Sequence, residues 1–121
     1  MAREASSVGT ACEPAINRCG SANTDILFHT KEELQPWYRI DLGKQTRISS
    51  VEVQNRRDCC PDRAIPLVIE VSEDGQRWRE VARRTASFFE WRTSFTPVTA
   101  RYVRARVDRR SVLHLRGLHV W

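Results

Sequence analysis

The stretch Leu67-Val68-Ile69-Glu70-Val71-Ser72-Glu73-Asp74-Gly75-Gln76-Arg77-Trp78 reads as a β-hairpin. A run rich in β-branched residues enters Asp74-Gly75, a dipeptide that tolerates the positive φ of a tight turn, and Trp78 and Val81 return along the partner strand. Outward from this hairpin the same period of two recurs. Tyr38, Ile40 and Leu42 alternate with Arg39, Asp41 and Gly43, the pattern of a half-buried strand, and Ile48, Val51 and Val53 continue it. Further strands are predicted at Phe88 to Phe95, Tyr102 to Val107 and Val112 to Val120. Residues 14 to 28 are rich in turn formers and read as a loop. Residues 1 to 13 are small and polar, and read as a flexible lead-in to a domain over 14–121. Many short strands with no sustained 3.6-residue period imply an all-β protein, an antiparallel β-sandwich.

Composition sets the bounds. A chain of 121 residues suits one domain with one core, and its hydrophobic fraction of 40% includes no run of membrane-spanning length. Membrane insertion is therefore not expected. Met1-Ala2-Arg3-Glu4-Ala5-Ser6-Ser7 has no apolar leader segment, so no signal peptide is visible. Four cysteines in a small domain point to an oxidising, secreted or extracellular setting, with a cytoplasmic one left open. Three connectivities are available to them. Cys12 and Cys19 are spaced to close a short loop.

The chemistry concentrates in Arg56-Arg57-Asp58-Cys59-Cys60-Pro61-Asp62-Arg63, with His29 upstream. Arg56 and Arg63 carry planar donor forks that can each bridge two oxygens, and Asp58 can accept from one and hold it. Arg57 is out of phase and is expected to face solvent. Adjacent Cα atoms stand about 3.8 Å apart, below the usual disulfide span. A bond between Cys59 and Cys60 would therefore close a tight ring with a hard apolar face. Such a cluster suits a small ligand rich in hydroxyl and ring oxygens.

The spacing of His29, residues 30 to 55, Arg56-Arg57-Asp58, residues 59 to 62 and Arg63 resembles the sugar-binding signature of F-type lectins, the fucolectins. Pro36-Trp37-Tyr38-Arg39-Ile40-Asp41-Leu42-Gly43 resembles one of their strands. Val71 to Trp78 is similar to the Ser-x-Asp-Gly-x-x-Trp hairpin of the wider discoidin (coagulation factor 5/8 type C) superfamily, and Ala100 to Arg104 and Leu113 to Val120 to its closing strands. The resemblance implies a discoidin-like jelly roll, here with a shortened N-terminal strand and a partly open sheet edge. It implies a non-catalytic carbohydrate-binding domain for terminal L-fucose on fucosylated glycans. In that family's pattern His29, Arg56 and Arg63 donate to hydroxyls and the ring oxygen, and a vicinal Cys59-Cys60 disulfide stacks on the ring. Leu27, Phe28 or Tyr38 would receive the methyl group, and Asp58 would orient an arginine. It also implies a domain appended to a larger carbohydrate-active protein or an oligomer, since one shallow site gains useful strength through copies.

The family's final strand carries a Cys-Glu pair tied to a structural calcium, whereas this chain has Arg116-Gly117. Asn17, Asn23 and Asp25 remain as oxygen donors, a thin set for an ion that takes six to eight. No cofactor is required on this reading, and a structural calcium stays open. Net charge is +5, and Arg101, Arg104, Arg106, Arg109 and Arg110 form a basic stretch. The competing reading is a discoidin-fold module binding another sugar or an acidic polymer such as a sulfated glycan or nucleic acid. No nucleic-acid motif accompanies the stretch, so a solvated face is the expectation. Asp58 and Asp62 are flanked by arginines that favour the ionised form, the wrong direction for a general acid, and no nucleophile motif is present. An enzyme is not expected.

Overall fold

The computed structural model describes residues 2–7, 12–13, 18–19, 27–57 and 60–121. Its strands are β1 (Ala2–Ala5), β2 (Cys12–Glu13), β3 (Arg18–Cys19), β4 (Phe28–His29), β5 (Glu33–Leu34), β6 (Trp37–Asn55), β7 (Leu67–Ser72), β8 (Arg79–Arg84), β9 (Glu90–Val107), β10 (Arg110–Ser111) and β11 (His114–Val120). A single 3-10 turn, Pro61–Ala64, lies between β6 and β7 among the described residues.

Two strands build both layers of the sandwich. β6 has 19 residues, roughly 60 Å if extended, whereas a domain of this size has a radius of gyration of about 14 Å, so the strand must bend. Its register with β9 shifts between Asp41 and Thr46 and again between Ile48 and Ser50. Gly43 sits in that bend at φ 87, and its N–H donates to Asp41 Oδ1 at 2.8 Å. Before the bend, Trp37–Asp41 pair with Tyr102–Arg106, which continue to β7 and β8. After it, Ser50–Gln54 pair with Glu90–Ser94 on one side and with β11 on the other, and β4 closes that layer. The pattern read from Tyr38 through Val53 is thus one continuous bent strand, and the strands expected separately at Phe88 to Phe95 and Tyr102 to Val107 are a second.

Alternation places the core between the layers. Ile40, Val51, Val53, Leu67, Ile69, Val103, Ala105, Val107, Leu115 and Leu118 are all buried. Each fully buried Val, Leu or Ile contributes about 1.5–3 kcal/mol. The expected β7–β8 hairpin is present. Asp74 Oδ1 accepts from the Gln76 and Arg77 N–H groups at 2.8 and 2.9 Å, and from the Ser72 hydroxyl at 3.0 Å. Those bonds hold its carboxyl at about 2, far below the usual value. Gly75 takes φ 79, and a Cβ there would press on the Tyr102 ring at 3.3 Å.

Ala2–Ala5 departs from the expected flexible lead-in. It pairs antiparallel with Tyr38–Asp41 and covers the edge expected to stay partly open. Backbone pairing drives it: Ser6 N–H donates to Trp37 O at 2.9 Å, Trp37 N–H to Ser6 Oγ at 3.0 Å, and Glu4 pairs with Arg39. Small polar side chains carry no periodic signal for such a strand.

Candidate functional site

The end of β6, the 3-10 turn, β4 and the start of β11 meet at one end of the second layer. Asn55 joins them. It follows Val51 and Val53 in the inward phase and is fully buried. Its Nδ2 donates to Phe88 O at 3.0 Å and Pro61 O at 3.1 Å, and its Oδ1 accepts from the Arg56 N–H at 2.8 Å. Its own N–H donates to Phe89 O at 2.8 Å, and its carbonyl accepts from Arg116 Nε at 2.8 Å. Asn55 thus ties the Arg56 N–H and the Pro61 carbonyl to one buried point before any ligand arrives.

A second set of bonds fixes Arg63. Ser111 Oγ donates to Arg63 O at 2.7 Å, and Arg109 donates from Nη2 to Asp62 O at 2.7 Å and from Nε to Ile65 O at 2.6 Å. Cys60 precedes the turn at φ 62 and ψ 44, a left-handed conformation that costs a non-glycine residue free energy and is retained only where its surroundings impose it. Cys60 is disulfide-bonded. Asp58 and Cys59, and with them the expected vicinal pairing and the orienting carboxylate, lie outside the described residues.

His29 sits on β4 beside this loop, and its Nδ1 is 2.8 Å from Thr30 O. A carbonyl only accepts, so Nδ1 carries the proton and Nε2 of the neutral ring is an acceptor. Burial lowers the proton affinity of His29, the Thr30 bond opposes that, and the Arg56 and Arg63 charges lower it further. His29 is thus suited to accept from a hydroxyl, not to donate to one as the family pattern implied. Beneath it lies His114, fully buried, with its ring 5.3 Å from that of His29. Burial, then His29, Arg56 and Arg63, bring the pKa of His114 down to about 4. Neither of its ring nitrogens has a hydrogen-bond partner among the described residues. The charges of Arg56 and Arg63 act on both imidazoles.

Sequence reasoning singled out His29, Arg56 and Arg63 as candidates and passed over Asn55 and His114. Asn55 had a signal, a polar residue in the inward phase of Val51 and Val53. His114 had none, because Leu113, His114 and Leu115 are all buried and alternation is lost. Two supporting residues are misplaced by the reading. Phe28 and Tyr38 are buried and stack on each other at 4.2 Å with their planes 6° apart, so they bridge the layers and offer no wall to a ligand. Leu27 is half-buried against the core and its N–H donates to Leu115 O. Asn17, Asn23 and Asp25, the calcium donors considered, lie outside the described residues.

Arg57 is exposed and pairs with Glu90 at 2.6 Å. The basic stretch is compensated from within. Arg101 bonds Asp41 through two nitrogens, Arg104 and Arg106 share Glu70, Arg106 also bonds Asp108, and Arg110 lies 3.6 Å from Glu32. Arg104 and Arg106 are mostly buried, with side-chain exposures of 19% and 16%, so they do not form the solvated face expected of them. Arg104 also covers the Trp78 ring at 4.0 Å. A surface so neutralised is a poor reader of acidic polymers.

Residues 20–105 match the profile of the F5/F8 type C family described as a NedA-like, galactose-binding domain. Fucolectin-6 of Anguilla japonica is 30% identical over 91 residues, which cover 72% of this chain and 49% of that protein. The chain therefore spans about half the length of this curated relative. The f-lectin (fucolectin) from striped bass (Morone saxatilis) serum superposes with a TM-score of 0.79 at 26% identity, covering 98% of this chain and 45% of that one. A Streptococcus pneumoniae fucose binding module superposes with a TM-score of 0.78 at 22% identity, covering 99% of this chain and 89% of the module, a likeness of fold.

Proposed function

The chain belongs to the F5/F8 type C, discoidin-like family, whose relatives at hand are lectins and carbohydrate-binding modules, and from that premise we propose that it binds terminal L-fucose without catalysis, through His29, Arg56 and Arg63. The observation that supports this reading is a neutral imidazole, its Nδ1 bonded to Thr30 O, that carries the influence of both the Arg56 and the Arg63 charge. Arg56 and Arg63 donate to neighbouring hydroxyls and the ring oxygen, and His29 Nε2 accepts from a hydroxyl. A vicinal Cys59-Cys60 disulfide would give the ring's apolar face a rigid surface. With Phe28 and Tyr38 in the core, Leu27 is the remaining apolar neighbour for the methyl group.

Carboxylate chemistry supports binding over turnover. Glu90, paired with Arg57 and Arg116 beside the arginine loop, is held below its usual value by them, the direction opposite to that of a general acid. On this reading no metal enters the sugar contact, and a calcium held by Asn17, Asn23 and Asp25 would only brace the preceding loop. The setting is extracellular, and the partners are fucosylated glycans met in several copies or as part of a larger protein, since one exposed site gives weak monovalent affinity.

A glycan array at moderate and high salt tests the reading. Signals restricted to fucosylated glycans, resistant to salt and lost in Arg56→Ala, are expected. Binding to sulfated glycans that disappears with salt would overturn it.

A further inference from the structure

β7 ends at Ser72, opposite Tyr102, but its neighbour β9 extends past that point. Followed backwards, β9 continues through Thr99 and Val98, which pair with Arg47 and Ile48 beyond the bend of β6. The turn of the β7–β8 hairpin is left standing beside them, and the gap between is a cleft of about 400 Å³. That volume falls within the range of small-molecule sites. Val71 and Val98, which both pack on the core, line it together with Glu73, Arg77, Arg79 and Thr99. The six residues of β7, roughly 17 Å, separate the cleft from the turn that carries Arg63.

Two properties mark the cleft. Its arginines are uncommitted. Arg57, Arg83, Arg101, Arg104, Arg106 and Arg116 are paired with carboxylates, and Arg92 covers the Trp121 ring. The guanidinium groups of Arg77 and Arg79, both exposed, have neither an ion pair nor a hydrogen bond among the described residues. The turn is also built before any ligand arrives. Besides the bonds to Asp74, Ser72 Oγ accepts from the Gly75 N–H at 2.8 Å, and Gln45 Nε2 donates to Glu73 O at 2.9 Å, tying the turn to β6. Placing a ligand there costs little ordering. Glu73 and Asp74 balance the two arginine charges, so the lining exerts no net pull on a polyanion. Two donor forks, a carboxylate acceptor and a hydroxyl around apolar side chains match the hydroxyl rim and C–H face of a pyranose.

We propose that this cleft is a second saccharide site, for a neutral hexose, at the far end of β7 from the arginine loop, so that one chain can engage two sugars at once. It stands independently of the fucose site. No aromatic residue lines it among the described residues, so it holds a single sugar weakly and strengthens binding only in concert with the arginine loop, without an array signal of its own. The test is NMR titration of the isotope-labelled full chain with D-galactose, D-glucose, D-mannose and D-glucuronate at millimolar concentrations, reading the backbone amides of residues 73–79 and 98–99. At least one of the three neutral sugars should move those amides saturably, and equally in the wild type and in Arg63→Ala. In the double variant Arg77→Ala/Arg79→Ala the affinity should fall at least about tenfold with Tm retained, the loss expected when hydrogen bonds from charged groups are removed. No saturable movement with any neutral sugar, movement that survives the double variant or is lost in Arg63→Ala, or movement with D-glucuronate alone that salt abolishes would each overturn the site. A failure of Arg63→Ala to weaken L-fucose binding would count against the primary site and leave these outcomes as they are.

Discussion

Asn55 stands in the inward phase of β6, where an apolar side chain would be expected, and its amide donates to Pro61 O and Phe88 O while its Oδ1 accepts from the Arg56 N–H. Asn55→Ala strands the Phe88 and Pro61 carbonyls in a buried place, at about 1–3 kcal/mol each. The variant should lose about 2–5 kcal/mol in urea denaturation; a loss under about 1 kcal/mol would remove Asn55 from its joining role. His114 makes a prediction about pH. Its folded pKa of about 4 lies below the ordinary 6.5, so between those values the unfolded chain binds more protons. Stability should therefore rise with pH across that window, by about 3 kcal/mol from this group, and be complete above it. His114→Leu should flatten most of that slope when denaturation midpoints are compared at acid and neutral pH. At this scale spacing singled out His29, Arg56 and Arg63, and the charges of both arginines do act on the His29 ring. The sequence was misleading for Phe28 and Tyr38, since an aromatic residue beside a site reads the same whether it points outward or into the core.

Strands explain why the arginine-rich face is not a docking surface. Glu70 on β7 lies opposite Arg104 and beside Arg106 on β9, and one carboxylate serves both guanidinium groups at 2.9 and 3.0 Å. Glu70→Gln leaves two largely buried cations undercompensated and should cost about 3 kcal/mol in thermal or chemical denaturation. Arg106→Met in that background should recover part of the loss; a neutral Glu70→Gln would show that solvent already screens the cluster. Alternation identified β6, β7 and β9 because their inward residues are apolar. It could not join the segments predicted at Phe88 to Phe95 and Tyr102 to Val107 into one bent strand, since the register between β6 and β9 shifts at Asp41/Thr46 and Ile48/Ser50 and resets the phase. Nor could it find β1, which is held by backbone bonds to the edge of β6.

Across the whole molecule, two bent strands carry one layer's frame into the other and leave the site residues together at one end. Ser111 and Arg109 grip the turn from one side and Asn55 from the other, so Arg56 and Arg63 are placed by the scaffold. Most of the cations that make the net charge +5 lie elsewhere, many of them paired. Binding of a neutral sugar should accordingly resist salt, whereas a patch-driven interaction would not. The most direct test is calorimetric titration with L-fucose of the wild type and of Arg63→Ala, whose exposed side chain can be removed without opening the core. Saturable binding at low and high salt, weakened more than tenfold in Arg63→Ala with Tm retained, is the predicted result, since a hydrogen bond from a charged group is worth about 1.5–3 kcal/mol. Equal affinity in the two proteins, or no uptake of L-fucose by the wild type, would contradict it.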